Sequence, residues 1–186
     1  MAGLDPLAER AVYREAGLLL RLFHDAEAPV PWPDFAADRL TEFERWADRA
    51  SGLLTTRELD FARAEVRALA DLSPPARVPC HLDYTDRNWL TVDGRVHVID
   101  FERARPDVWI NDLARLHYGR WRARPDLRES FLDGYGRQIS EHDHAILVGH
   151  GALTAVSTVV WAREHDDAPF ENAGRRSLRD LMDPAP

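Results

Sequence analysis

Lysine is absent from this sequence: all 24 of its basic residues are arginine. No lysine ammonium is therefore available to hold a phosphate group. Cysteine is nearly absent too, because Cys80 stands alone, which excludes a disulfide within the chain and is typical of a reducing compartment. The first residues show no signal peptide, since they carry acids and no apolar stretch beside a basic cluster. We therefore expect a cytoplasmic protein.

Excess positive charge is also lacking. The formal net charge is −8, and the arginines are interleaved with acidic residues. Binding to nucleic acid or to an anionic membrane surface requires a basic face. The sequence therefore predicts no nucleic-acid partner and no membrane partner.

Only one long hydrophobic run is present, over residues 145–162. Glycines at 149 and 151 interrupt it, and hydroxyl side chains at 154, 157 and 158 dilute it. A membrane span needs about 20 strongly apolar residues, which this run barely approaches. The run is predicted to be a buried core helix.

The remaining pattern is typical of one mainly helical domain over residues 1–186. A hydrophobic content of 45% suffices for one sizeable core. Apolar periodicity predicts helices over about 5–71 and 111–182, with a loop and a β-hairpin over about 78–102 and no strand before 78. The expected fold class is α+β, mainly α with a small hairpin. Helix starts are predicted at the pairs Thr41/Glu44, Thr55/Glu58 and Ser140/Asp143, and at Asn111 or Asp112 for a helix running to Trp121.

Two short segments carry most of the information: HLDYTDRNWL at residues 81–90 and VIDFE at residues 98–102. Between them, Asp93-Gly94 flanked by β-branched residues predicts a type I′ turn. In the resulting hairpin, residue 92 faces 95 and residue 88 faces 99. Asn88 and Asp100 are therefore expected to be neighbours at the open end of the hairpin.

These residue types fit phosphoryl transfer. The amide oxygen of Asn88 and the carboxylate of Asp100 suit magnesium, which takes one or two protein ligands together with phosphates and waters. Asp83, just before the first strand, is placed to accept a proton from a substrate hydroxyl. His81 is expected to support the loop rather than to transfer a proton. Each residue taken alone is an ordinary turn residue, so the hypothesis rests on their combination.

Residues 81–88 and 99–102 resemble the catalytic and metal-binding loops of the aminoglycoside phosphotransferase family, within the protein-kinase-like superfamily. Residues 13–24 resemble the helix that begins its larger lobe. The resemblance implies ATP (or GTP) and Mg²⁺ as cofactors, a small-molecule substrate, and a link to antibiotic resistance. The implied site roles are Asp83 as catalytic base, Asn88 and Asp100 as metal ligands, and His81 and Asp112 as structural support, with further nucleotide-binding residues unknown. For Asp112 a plain helix cap is an equally compatible role.

The sequence departs from the family in two respects. Leu82 stands where the family often has glycine. The family's amino-terminal lobe, with its glycine-bearing strands and phosphate-binding lysine, has no counterpart in these residues, so we expect the carboxy-terminal lobe only. Two hypotheses follow: a small-molecule kinase, or a truncated, catalytically incomplete lobe acting as a binding module or remnant. Apolar surface is expected to lie open beside the hairpin and first helix, which favours self-association. The substrate identity is left open.

Overall fold

The fold comes from a computed structural model that describes residues 5–183. Within these residues the chain groups into two compact units: unit 1 contains residues 5–31 and Ala76–Ile139, and unit 2 contains Trp32–Pro75 and residues 140–183. The α-helices are α1 Pro6–His24, α2 Phe35–Arg49, α3 Thr56–Ala68, α4 Ala114–His117, α5 Arg120–Ala123, α6 Pro125–Tyr135, α7 Glu141–Glu164 and α8 Ala168–Met182. The strands are β1 Val30–Pro31, β2 Ala76–Cys80, β3 Trp89–Val92, β4 Arg95–Val98 and β5 Arg105–Asp107. The mainly helical fold class is confirmed, and the single domain stays a prediction.

In unit 1, two glycines allow α1 and α6 to pack with their backbones in close approach. A Cβ atom on Gly17 would lie 2.1 Å from the carbonyl oxygen of Phe131, and one on Gly134 would lie 1.9 Å from that of Arg14. Any side chain at either position would therefore push the helices apart. The buried rings of this unit are those of Tyr13, Tyr84, Trp89, Trp109, Trp121, Phe131 and Tyr135.

A three-stranded antiparallel sheet, in the order β1-β2-β5, also belongs to unit 1. Val30 pairs with Arg77, and Cys80 pairs with Arg105. The expectation of no strand before residue 78 was wrong. β1 has only two residues and β2 contains Pro79, so neither strand shows the alternation from which strands are predicted.

The hairpin of β3 and β4 has the predicted register. Val92 pairs with Arg95, and Trp89 pairs with Val98 at the other end. Asp93 has φ 49° and Gly94 has φ 75°, and a type I′ turn requires positive φ at both central positions.

The helix predicted from Asn111 or Asp112 to Trp121 was wrong. A 3₁₀ helix, Trp109–Leu113, is followed by two four-residue helices, α4 and α5. No side chain caps α4. Nδ2 of Asn111 donates instead to Oδ1 of Asp107 at 2.8 Å, and the Asp112 carboxylate is occupied in the site described below. Neither candidate cap is therefore used to start a helix: Asn111 bonds locally, and Asp112 bonds to a distant loop.

Unit 2 consists of α2, α3, α7 and α8, and α7 packs against the other three. The capping boxes Thr55/Glu58 and Ser140/Asp143 are confirmed at the starts of α3 and α7. The pair Thr41/Glu44 was wrong as a helix start, because both residues lie inside α2. There Glu44 instead forms an ion pair with Arg63, with Nε and Oε1 2.9 Å apart.

α7 is the helix predicted from the hydrophobic run. By length and composition it is the one helix of residues 5–183 that could cross a membrane, and 61% of its apolar window is buried inside the fold. A Cβ atom on Gly149 would lie 2.8 Å from a methyl group of Leu69, so α7 packs closely against the residue that directly follows α3. Such burial is typical of a core helix.

Candidate functional site

The loop that follows β2 is organised by His81, which is fully buried. Its Nδ1 accepts a hydrogen bond from the Asp83 backbone N–H at 3.3 Å. Its Nε2, which then carries the proton, donates to the carbonyl oxygen of Ile99 at 3.0 Å. One imidazole therefore links the loop to the end of β4.

The carboxylate of Asp112 also holds this loop. Oδ2 accepts from the His81 backbone N–H at 2.8 Å, and Oδ1 accepts from that of Leu82. Nε2 of His24 donates to Oδ2 at 2.9 Å, and the Tyr135 hydroxyl lies 2.8 Å from the other ring nitrogen. Asp112 is only 2% exposed, and these hydrogen bonds offset the free-energy cost of burying its carboxylate.

His24 was not predicted as a site residue, because it ends α1, 88 residues before Asp112. The one indication in the sequence is that a polar residue falls on the buried face of an amphipathic helix. A buried histidine at such a position needs a hydrogen-bond partner, but the sequence does not say which one.

Leu82 adopts a left-handed backbone with φ 60°. This conformation is unfavourable for a bulky residue and easy for glycine. The geometry explains why glycine suits this position. Two hydrogen bonds from the amides of His81 and Leu82 to Asp112 hold the leucine in this conformation.

Asp83 and Asn88 contact each other directly. Nδ2 of Asn88 donates to Oδ2 of Asp83 at 3.2 Å and to the Asp83 carbonyl oxygen at 2.9 Å. This pair of bonds closes the loop and orients the Asp83 carboxylate. Asn88 is largely buried, and its amide oxygen makes no hydrogen bond to the described residues.

Asp100 follows β4 at the same end of the hairpin. The Ile99 N–H donates to the Asn88 carbonyl oxygen at 3.0 Å, so the residue before Asp100 pairs with Asn88 as predicted. Asp100 has a left-handed backbone with φ 66°, which aspartate tolerates better than most residues. Its side chain is exposed, and within residues 5–183 its carboxylate has no hydrogen bond or ion pair.

These donors fit a magnesium ion. With Nδ2 committed to Asp83, the free polar atom of Asn88 is its amide oxygen, and Asp100 offers an unpaired carboxylate. Magnesium prefers such oxygen ligands and keeps positions for phosphates and water. The chemistry of the donor set therefore supports Asn88 and Asp100 as the residues that would hold the metal.

A second set of possible metal ligands, His24, Cys80 and Asp112, lies within 4.8 Å in the interior. Their polar atoms already have partners: Sγ of Cys80 contacts the Asp107 carbonyl oxygen at 3.4 Å. Burial also raises the pKa of the Cys80 thiol, which opposes the thiolate that a metal requires. We interpret this set as a structural network.

Two arginines approach Asp83 from outside the loop. Nε of Arg115 lies 3.0 Å from Oδ1, and Nη2 of Arg87 lies 3.9 Å from the same oxygen. The Arg115 approach lacks hydrogen-bond geometry, so Oδ1 is buried without a hydrogen bond from the described residues. Neither arginine was expected at the site from sequence, and Arg115 lies 32 residues after Asp83.

An apolar groove of about 300 Å³ lies in unit 1 between α1 and β4. It is lined by Leu19, Phe23, Tyr84, Val96, His97, Val98 and Phe101. Further large apolar side chains are exposed on α1 and the hairpin, among them Leu18, Leu22 and Leu90. The open apolar surface predicted beside the hairpin and first helix is therefore present, whereas self-association stays a prediction.

Known proteins resemble this chain in fold. A thermostable mutant of aminoglycoside phosphotransferase APH(4)-Ia, in its apo form, matches with a TM-score of 0.71 at 14% identity, over 96% of this chain and 67% of its own. APH(2")-IIa in its gentamicin complex matches with a TM-score of 0.64 at 15% identity, over 94% and 63%. Macrolide 2'-phosphotransferase type I matches with a TM-score of 0.59 at 20% identity, over 90% and 58%.

The chain thus spans about two thirds or less of the length of these three proteins. No curated protein sequence matches it. A sequence model of the phosphotransferase enzyme family matches residues 2–147, which contain the whole site described above. The chain therefore belongs to the phosphotransferase enzyme family and has the protein-kinase-like fold of the aminoglycoside phosphotransferases.

Proposed function

We propose that this chain is the larger lobe of an ATP- or GTP-dependent phosphotransferase that moves the γ-phosphoryl group to a hydroxyl of a small molecule. The family supports phosphotransfer. A similar structure of APH(4)-Ia is a ternary complex with ADP and hygromycin B, and another of APH(2")-IIa contains streptomycin and ATP. These ligands support a nucleotide donor and an antibiotic-like acceptor.

The single observation that carries the proposal is the grouping of Asp83, Asn88 and Asp100. Asp83 is oriented by two bonds from Asn88, and Asp100 follows the residue that pairs with Asn88. A fixed carboxylate, an amide oxygen and an unpaired carboxylate, carried by one loop and the adjoining end of one hairpin, would provide a base and a cation site.

In the proposed reaction, Asp83 orients the substrate hydroxyl and accepts its proton as the new bond to phosphorus forms. Asn88 and Asp100 would hold Mg²⁺, which when bound neutralises charge on the donor phosphates. His81 and Asp112 keep the loop in shape, so that the base does not have to reorganise during the reaction.

We further propose that the protein acts on a small molecule in the cytoplasm. The net charge of −8 and the interleaved arginines support a small-molecule partner over nucleic acid or a membrane. The single buried cysteine supports a cytoplasmic site of action.

Transfer from γ-labelled ATP to a panel of aminoglycosides, macrolides and sugars tests the proposal. Asp83→Asn cannot accept the proton, so its rate is expected to fall about 10³-fold. Asp100→Asn loses a metal ligand and is expected to fall similarly. Asp93→Asn is the matched control, because Asp93 is also an aspartate with positive φ, 49°, but lies at the turn. Retention of most activity in Asp83→Asn would refute the role of this residue.

A second candidate function is binding without turnover. The absence of lysine from the 186 residues favours it over turnover, because kinase-type sites position the ATP phosphates for transfer with a lysine. Titration calorimetry with ATP and Mg²⁺ measures this directly. Micromolar binding with no transfer to any acceptor supports a binding module, whereas measurable transfer rejects it.

A further inference from the structure

Two arginine side chains approach the single carboxylate of Asp83. Arg115 and Arg87 lie 3.0 and 3.9 Å from its Oδ1. The positive charge of Arg103 also acts on Arg115. In the part of the chain that the structure describes, Asp83 is the only ion-pair partner of Arg87 and Arg115, and Arg103 has none. Two guanidinium groups therefore share the Asp83 carboxylate.

The Arg115 guanidinium is poorly neutralised in this arrangement. Burial lowers its pKa, Asp83 opposes that change, and repulsion from Arg103 and then Arg87 lowers it further. An anion placed beside Arg115 would relieve this repulsion.

The position of Arg115 is fixed by the same element that supports the loop. α4 begins directly after the 3₁₀ helix Trp109–Leu113, whose Asp112 binds the backbone of His81 and Leu82. Arg115 lies three residues after Asp112, so its guanidinium is held beside the Asp83 carboxylate. A guanidinium offers N–H groups in a planar fork that matches the oxygens of a phosphate.

We propose that Arg115, with Arg87 beside it, forms an anion subsite next to Asp83 for the terminal phosphoryl group of the donor nucleotide. This inference rests on the proposed function. It assigns to arginine the phosphate contact for which the sequence has no lysine. It also explains the ion pair between Arg115 and Asp83. When the Arg115 guanidinium binds phosphate oxygens, Oδ1 of Asp83 becomes accessible to the substrate hydroxyl.

In the resulting transfer, the hydroxyl O–H bond breaks, and its proton moves to Asp83. The hydroxyl oxygen forms a bond to the terminal phosphorus, and the bond from that phosphorus to the nucleoside diphosphate breaks. Arg115 neither gains nor loses a proton, so it stabilises charge on the phosphoryl oxygens as this exchange occurs.

Anion binding followed by NMR tests the subsite without an activity assay. The probe is sodium tripolyphosphate, and the signals are the Nε–Hε resonances of the arginines in the intact chain. The Arg115 signal is expected to shift saturably. Arg115→Gln should weaken binding at least tenfold, and Arg115→Lys should recover part of the loss because it keeps the charge. The matched control is Arg95→Gln, since Arg95 pairs with Glu15 at a similar 2.9 Å but lies at the turn end of the hairpin.

The outcomes separate this inference from the proposed function. Absence of saturable binding, or equal weakening by Arg115→Gln and Arg95→Gln, overturns the subsite. Tripolyphosphate binding that depends on Arg115 supports the subsite even if no acceptor is phosphorylated, which would count against the proposed function alone. Phosphoryl transfer with an unchanged KM for ATP and an unchanged kcat in Arg115→Gln supports the proposed function and rejects the subsite.

Discussion

His24 and Asp112 are joined by a buried hydrogen bond, with Nε2 and Oδ2 2.9 Å apart and side chains only 2% and 0% exposed. The bond connects the last residue of α1 to the carboxylate that fixes the backbone of His81 and Leu82. The shape of the loop that carries Asp83 therefore depends on a helix end far away in sequence.

The first prediction concerns this bond. His24→Ala removes a buried ring and leaves Asp112 without one of its donors, so we expect a loss of about 3 kcal/mol in the free energy of unfolding. Urea denaturation measures it, with His97→Ala on the exposed face of β4 as the control. Hydrogen exchange at the amides of His81 and Leu82 should also become faster. Unchanged stability and unchanged exchange would show that His24 does not brace the loop.

The second prediction concerns the strained backbone at Leu82, where φ is 60°. Leu82→Ala and Leu82→Gly both remove the side chain, but only glycine relieves the left-handed conformation. The glycine variant is therefore expected to be more stable than the alanine variant by about 1 kcal/mol. Thermal unfolding of the two variants side by side measures the difference. Equal stability would mean that the loop relaxes to negative φ in solution.

The third prediction concerns the packing of α1 on α6. Gly134→Ala would place a methyl carbon 1.9 Å from the carbonyl oxygen of Arg14, so the helices must separate. We expect a loss of about 3 kcal/mol or more in unfolding free energy. Leu18→Ala, at a residue 49% exposed on α1, is the control and should change stability by less than about 0.5 kcal/mol. A Gly134→Ala protein with wild-type stability would contradict the close approach.

The fourth prediction concerns pH. The hydrogen bond from Arg120, assisted by Arg124, holds the pKa of Glu9 below its usual value of about 4.3 although burial opposes this. A carboxylate with a lowered pKa contributes stability above its unfolded pKa and loses it as pH falls through the folded value. Glu9→Gln should therefore cost about 2 kcal/mol at pH 7, and the difference should shrink below pH 4. A difference independent of pH would exclude these ion pairs as its source.

Local patterns were sufficient to predict the hairpin and the grouping of Asn88 with Asp100. Asp93-Gly94 fixes the turn type, and the turn type fixes the register of every later pair. The capping boxes of α3 and α7 were predicted for the same reason, because the interacting residues are three apart.

Contacts between distant segments could not be read from the sequence. Asp112 has the residue type of a helix cap, yet its carboxylate binds the loop at His81, because tertiary hydrogen bonds outweighed the local preference. Arg115 and His24 contact site residues only because α4 and α1 pack beside the loop in the folded protein. Strand β1, with two residues, is defined wholly by its partner β2.

Paramagnetic broadening by Mn²⁺ tests the central claim, that Asn88 and Asp100 hold a divalent cation beside Asp83. In a titration with Mn²⁺ and a non-hydrolysable ATP analogue, the amide signals of Asn88, Ile99 and Asp100 should broaden first. Asp100→Asn should remove that broadening, and Asp93→Asn, at the other left-handed aspartate of the hairpin, should leave it intact. Broadening centred elsewhere, or unaffected by Asp100→Asn, would contradict the account.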